Sequence, residues 1–287
     1  MKILLVSAQV FPVPPESYGG LELVVANLAR GLVQAGHQVS ILCPKGSQVE
    51  GCELITPVDP SPGNPELEAF KAIQDRLGEF DITIDHSWTA MPYARKMDKA
   101  GFPLMHVCHG MMSYPTPPPV SKPCLVGVSK WHAGYLSLHW QVPVEWAYNG
   151  VDMSLYAVTP QKEDYVLFLN RVMPGKGAWE FIHLCRRWGI RGKLAGEDRF
   201  IDDPAYVRRV MAACDGDQVQ YIGRVSLDLK RELLGKARAL VCPLGGGYME
   251  VFGLATVEAM ACGTPVLSTD CGAARELIEH GTTGGVF

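Results

Sequence analysis

The sequence predicts an α/β protein made of two doubly wound parallel-sheet domains in tandem, facing each other across a cleft. Three observations lead there. Short apolar runs alternate with helical patterns along nearly all of the 287 residues, as parallel sheets covered on both faces require. The alternation restarts after Tyr148-Asn149-Gly150-Val151-Asp152. And 47% hydrophobic against 20% charged composition is enough to bury two cores of ~140 residues each.

The elements follow in order. Ile3–Ala8 is an apolar strand, and Phe11–Gly20 a Pro/Gly loop. Leu21, Val24, Val25, Leu28 and Leu32 then recur at helical spacing up to Gly36. Val39–Cys43 is the second strand, completing one βαβ unit. Strands are expected at Ile82–Ile84, Leu104–Cys108 and Leu125–Val128, with helices at about 66–79 and 88–99. After the junction come strands at Tyr165–Leu169, Gly192–Ala195, Val219–Ile222, Ala239–Cys242 and Val266–Ser268. Helices are expected between them at Ala178–Trp188, Pro204–Cys214, Asp228–Lys236 and 253–261. The expected domains are therefore 1–152 and 153–287.

Composition excludes several function classes. The segment Met1–Val6 lacks the charged lead, long apolar stretch and small-residue cleavage site of a secretory signal, and no run of 18 apolar residues exists. A cytoplasmic protein with no integral membrane association is expected. Nine cysteines, with no Cys-x-x-Cys pair, read as reduced and mostly buried thiols. Lys plus Arg against Asp plus Glu is 10 against 14 for residues 1–155 and 16 against 16 for 156–287, net −4 and 0. With no basic cluster, no nucleic-acid partner is expected.

Ligands of open α/β sheets bind beyond the carboxyl ends of the strands, so the loops that follow strands carry the chemistry. After the first strand of the second half, Arg171 and Lys176 stand five apart in a glycine-containing loop leading into a helix. Two cations at a helix start suit a polyanion; the alternative is an ordinary solvated loop. Gly19-Gly20 follows the first strand of the chain and permits close backbone approach or positive φ, or is a plain turn. In the otherwise apolar stretch 249–266, Glu250 lies in a loop and Glu258 about one and a half turns into a helix. Between them the amides of Phe252, Gly253 and Leu254 are helix-start donors. Carboxylates at both ends of an anion site fit a ligand with phosphate in the middle and hydroxyls at its ends, the layout of a sugar nucleotide. Asp215-Gly216-Asp217 reads as a turn placed before a strand, at the wrong end of the sheet for that ligand.

Together these residues resemble the retaining GT-B glycosyltransferases of family 4, also called group 1. The stretch Glu250-x7-Glu258, followed by Ala-Met-Ala-Cys-Gly-Thr-Pro-Val, is similar to the family signature, and Arg171-x4-Lys176-Gly177 to its diphosphate clamp. Pro15-x-x-Tyr18-Gly19-Gly20-x-Glu22 resembles its N-terminal glycine loop, Asn149-Gly150-Val151-Asp152 its interdomain junction, and the segment from Glu276 to Gly284 a late C-terminal motif. Family members usually continue past that motif with further helices, which these residues do not include.

The resemblance implies an N-terminal Rossmann-like domain on the acceptor side and a C-terminal one that binds the nucleotide-sugar donor. It implies transfer of a sugar to an acceptor hydroxyl with retention of anomeric configuration, without cofactor or metal. Arg171 and Lys176 would bind the diphosphate and stabilise charge on the leaving oxygen, Glu258 would accept from the ribose hydroxyls, and Glu250 with the amides of Phe252, Gly253 and Leu254 would hold the sugar hydroxyls. Gly19 and Gly20 would approach the distal phosphate and His109 line the sugar pocket, so that Glu250, His109, Arg171 and Lys176 form the catalytic set. Two other readings share the fold: a sugar-nucleotide epimerase, and a non-catalytic sugar-nucleotide-binding protein. The loop at 60–65 and the stiff loop Pro115–Pro119 are candidates for shaping the acceptor side.

Overall fold

The computed structural model describes residues 1–57, 65–88, 101, 103–111, 124–199 and 201–287. The chain divides into two compact units, Met1–Gly150 and Val151–Phe287. In the first, β1 (Lys2–Val6), β2 (Gln38–Leu42), β3 (Cys52–Ile55), β4 (Ile82–Asp85), β5 (Leu104–Cys108), β6 (Cys124–Gly127) and β7 (Glu145–Trp146) form one sheet. Its order is β3-β2-β1-β4-β5-β6-β7, and every pair is parallel. Ile3 and Leu5 pack against Val25, Ala26 and Ala29 of α1 (Gly20–Gln34). Leu4 and Val6 alternate to the opposite face, against Ala69, Phe70 and Ile73 of α2 (Pro65–Ile73). A strand covered on both sides has no polar face to show, so it reads as an unbroken apolar run.

The second unit repeats this plan. β8 (Val166–Leu169), β9 (Gly192–Ala195), β10 (Val219–Gly223), β11 (Ala239–Cys242), β12 (Val266–Ser268) and β13 (Gly284–Val286) are ordered β10-β9-β8-β11-β12-β13, again parallel throughout. On one face Val166 and Phe168 meet Phe181 and Ile182 of α4 (Ala178–Trp188) and Val207 and Val210 of α5 (Pro204–Ala213). On the other, Leu167 and Leu169 meet Leu233 and Leu234 of α6 (Leu227–Lys236) and Ala259 of α7 (Leu254–Ala261). The Asp203 and Ser226 side chains cap α5 and α6, accepting from the amides of Tyr206 and Leu229 at 2.9 and 3.2 Å. The Lys162 ammonium donates to Gly235 O near the end of α6 at 2.7 Å and to Thr264 Oγ1 just after α7 at 2.8 Å. One cation thus secures two helix ends, where the dipole favours it.

The differences from the sequence reading have local causes. The helix expected over 66–79 is an α-helix only to Ile73 and tightens into a 3-10 helix over Gln74–Glu79. α3 (Lys130–Trp140) was not foreseen. Its apolar residues include an exposed Leu138 beside buried Leu136 and Trp140, so no single apolar stripe marks it. Strand β3 is a short edge strand holding Glu53, and β13 begins with two glycines. A Cβ on Gly284 would fall 1.9 Å from Val266 O, which explains a glycine in that strand. The short α8 (Ala274–Leu277) was also missed. All but Trp88 of the helix expected at about 88–99, the whole loop Pro115–Pro119 and nearly all of the loop at 60–65 lie outside the described residues. Among the described residues no helix is long and apolar enough to cross a membrane.

Candidate active site

In each sheet the strand order reverses, between β1 and β4 in the first unit and between β8 and β11 in the second. That reversal opens a crevice at the carboxyl ends of the strands, where ligands of such sheets bind. The residues singled out in the sequence lie in the loops that leave these strands.

In the second unit, β8 runs into Asn170 and Arg171, a 3-10 turn over Pro174–Lys176, and Gly177 at φ 79° before α4. A Cβ on Gly177 would sit 1.9 Å from Pro243 O, and one on Gly175 would sit 2.8 Å from Tyr248 Cβ. The glycines therefore let this loop press against the loop after β11, to which Gly175 O is bonded by Gly245 N at 3.2 Å. That contact carries Lys176 to Glu250: its ammonium forms an ion pair with the Glu250 carboxylate and lies 4.3 Å from the centre of the Tyr248 ring. Lys176 is 5% exposed. Burial alone would lower its pKa, but the Glu250 charge and Tyr248 outweigh it and raise the pKa above the ordinary lysine value. No described residue pairs with the Arg171 guanidinium, which stays partly exposed.

Glu250 is held from behind. Ala273 N donates to its carbonyl at 2.9 Å, and a Cβ on Gly272, at φ 60°, would lie 2.0 Å from that same oxygen. Phe252 is buried, Gly253 takes φ 88°, and α7 starts at Leu254. The amides of Gly253 and Leu254 open the helix and donate to no described residue. Glu258, 2% exposed, meets neither Glu250 nor Lys176: its Oε1 accepts from Tyr156 Oη at 2.8 Å and from Lys230 Nζ at 2.5 Å. Burial and the neighbouring carboxylate push the Tyr156 phenol well above its ordinary range, so it stays a donor. Asp215 is a turn residue, accepting from the amides of Asp217, Gln218 and Val219.

In the first unit Gly19 adopts φ 145°, and a Cβ there would lie 2.7 Å from Pro15 Cβ and 3.0 Å from Glu22 Oε2. Burial pushes the Glu22 carboxyl up to about 7, against hydrogen bonds from its own amide and that of Phe11. Gly20 is the exposed first residue of α1. His109 stands just after β5, partly exposed, with Nε2 2.9 Å from Nδ1 of His86. On the same strands His106 Nδ1 and Asp85 Oδ2 form a fully enclosed ion pair at 2.7 Å. Burial opposes both charges, yet each supports the other, so the His106 pKa rises to about 10 and that of Asp85 falls. His132 in the first turn of α3 reaches Gly110 O at 3.0 Å.

The structure thus brings Lys176 and Glu250 into contact, with Arg171 in the loop that carries Lys176 and the α7 amides a few residues after Glu250 in the chain. It engages Glu258 with partners of its own. Sequence reasoning missed Tyr156, Lys230, Tyr248, Gly272, His86 and His132. Only Gly272 carried a legible signal, as a glycine in a loop following a strand.

Residues 18–155 match the family described as Glycosyltransferase Family 4, and residues 157–287 match Glycosyl transferases group 1. The chain is similar to a D-inositol 3-phosphate glycosyltransferase of Pseudarthrobacter chlorophenolicus, with 24% identity over 93% of this chain and 77% of that one. It is also similar to AviGT4, a glycosyltransferase involved in avilamycin A biosynthesis, with TM-score 0.73 and 26% identity over 99% of this chain and 84% of that one. Anabaena HepE in complex with UDP-glucose shares the fold, with TM-score 0.75 and 20% identity over 100% and 85% of the two chains. With its two halves matched by the two models and the parallel sheets of this fold in each, the chain belongs to the group 1 glycosyltransferases of family 4 type.

Proposed function

We propose that this glycosyltransferase moves a sugar from a nucleotide-diphosphate sugar to an acceptor hydroxyl with retention of configuration. The observation that carries this reading is the buried Lys176–Glu250 pair, with Arg171 in the loop that carries Lys176 and the amides of Gly253 and Leu254 at the start of α7, neither of which bonds a described side chain or carbonyl. Arg171 and Lys176 are the proposed diphosphate ligands: both approach the reversal point of the sheet, and together they stabilise the negative charge that builds on the leaving oxygen. Glu250, neutralised by Lys176, is a poor nucleophile but remains an acceptor for sugar hydroxyls, with Phe252, Gly253 and Leu254 as the adjoining backbone donors. Glu258 is proposed to accept from the ribose. The leaving phosphate then removes the acceptor proton on the face it departs from, which preserves configuration. Positive charge for the diphosphate comes from side chains, so we propose a metal-independent reaction.

In the first unit, Gly19 and Gly20 offer backbone bare enough for a phosphate to approach, and His109 offers a ring nitrogen to a sugar hydroxyl. All nine cysteines are free thiols, which fits a reducing compartment, and the proposed location is the cytoplasm. The test is a panel of nucleotide sugars screened by thermal shift, where a ligand of the folded state raises the midpoint, followed by product analysis and assignment of the anomeric configuration. Transfer with inversion, isomerisation of the donor, or binding without turnover would each overturn the proposal.

A further inference from the structure

Three histidines at the carboxyl edge of the first unit's sheet, His86, His109 and His132, are wired in a way that determines where their protons sit. A neutral imidazole has one N–H and one bare nitrogen. His132 Nδ1 accepts the Val128 amide at 3.2 Å, so its proton is on Nε2, which donates to Gly110 O at 3.0 Å. The carbonyl that follows His109 is thereby anchored. His86 is fixed just as firmly. Its amide donates to Val6 O at 2.8 Å, the next amide, of Ser87, to Asp85 Oδ1 at 3.0 Å, and the one after, of Trp88, to Glu66 Oε1 at 2.8 Å.

Between His86 Nδ1 and His109 Nε2, 2.9 Å apart, one ring must donate. The other nitrogen of His86, Nε2, is buried and has no partner. If His109 donated, the His86 proton would be on Nε2, an orphaned buried N–H. If His86 donates, only a lone pair is orphaned. Orphaned buried N–H groups are the rarer and costlier of the two, so His86 Nδ1–H is the donor. His109 Nε2 then accepts, and the proton of His109 is on Nδ1. His109 is partly exposed, and no described residue bonds that nitrogen. Burial holds His86 at about 4, and burial with the surrounding imidazoles holds His109 far below its ordinary value, so both rings stay uncharged.

We propose that His86 is a positioning residue that locks His109 into the neutral form protonated on Nδ1, so that His109 gives a hydrogen bond, and no positive charge, to the transferred sugar. The proposal rests on the glycosyltransferase reading for the identity of that acceptor. Its chemical logic is the charge of the transition state. A sugar losing its leaving group becomes oxocarbenium-like and positive; an imidazolium beside it would repel that charge, whereas a neutral N–H still orients a hydroxyl. A histidine without His86 would sample both tautomers and rotate.

The experiment combines nitrogen NMR of the labelled full chain with kinetics of His86→Leu and His86→Asn, whose amide can donate from near the Nδ1 position. His109 should show a protonated Nδ1 and a bare Nε2 in the wild type and in His86→Asn, and a mixture in His86→Leu. His86→Leu should lower kcat by ~10- to 100-fold with donor KM changed by less than about threefold, and His86→Asn should recover most of the loss. A wild-type His109 protonated on Nε2, or a His86→Asn variant as slow as His86→Leu, would overturn the proposal; the wild-type spectrum decides even if His86→Leu does not fold. A correct tautomer in a protein that transfers no sugar would overturn the glycosyltransferase reading and remove the sugar as the acceptor of His109, while the His86–His109 pairing would stand.

Discussion

Tyr156 reaches Glu258 across 102 positions of chain, donating to the same Oε1 that Lys230 holds at 2.5 Å. A carboxylate 2% exposed is tolerated because two donors from separate segments meet it. Lys230→Met should destabilise the protein by ~3 kcal/mol, since it leaves a buried charge alone, and Tyr156→Phe by about 1 kcal/mol. Adding Glu258→Gln to Lys230→Met should recover part of the loss. Chemical denaturation of the three variants measures this, and a double variant no more stable than Lys230→Met would refute the pairing.

The Lys176–Glu250 pair separates donor binding from rate. Lys176→Met should abolish the stabilisation by a nucleoside diphosphate in calorimetry and lower kcat/KM by ~100-fold or more. Glu250→Gln should leave nucleoside diphosphate affinity within about threefold and reduce kcat by ~10- to 100-fold, because its carboxylate faces the sugar in the proposed site. Equal loss of nucleotide affinity in both variants would contradict that division.

Gly272 is where backbone geometry serves the site. Alanine there puts a Cβ 2.0 Å from Glu250 O at φ 60°, so Gly272→Ala should cost ~3 kcal/mol or more and lower activity through a displaced Glu250. Gly281 has a similar φ of 85° with nothing within 4 Å, so Gly281→Ala should cost only about 1–2 kcal/mol and leave kcat unchanged. The comparison isolates the clash from the torsional strain.

Acid should weaken the first unit. His86 and His132 are held near 4 in the folded chain by burial, against about 6.5 when unfolded. Between those values the unfolded chain binds more protons, so stability falls as pH drops from about 6.5 to 4, by up to ~1.4 kcal/mol per pH unit for each histidine. The His106–Asp85 pair behaves otherwise. The His106 pKa is raised to about 10, so its contribution is complete below about 6.5 and is lost as pH rises towards 10. The Asp85 pKa is lowered, so its share is lost only in stronger acid. Denaturation midpoints across pH 4 to 10 should therefore peak between the two limits, and His132→Asn should flatten the acid side.

The sequence by itself determined what is local or periodic. Runs such as Ile3–Val6 and Ala239–Cys242 read as buried parallel strands because both their faces are covered, and Ala178–Trp188 read as a helix because its apolar residues keep one face. Arg171, Lys176, Glu250 and Glu258 stood out because charge at a glycine-rich helix start or in an apolar stretch needs a reason. What the tertiary structure alone decided is which of these meet. Lys176 touches Glu250 because β8 and β11 are neighbours in the sheet although 69 residues, β9 and β10 among them, lie between Leu169 and Ala239 in the chain. Glu258 turns to Tyr156 and Lys230, and four histidines from β4, β5 and α3 or the loops beside them gather at one edge. Strand order and register come from packing whole elements together, and a residue's own neighbours in the chain hold no record of them.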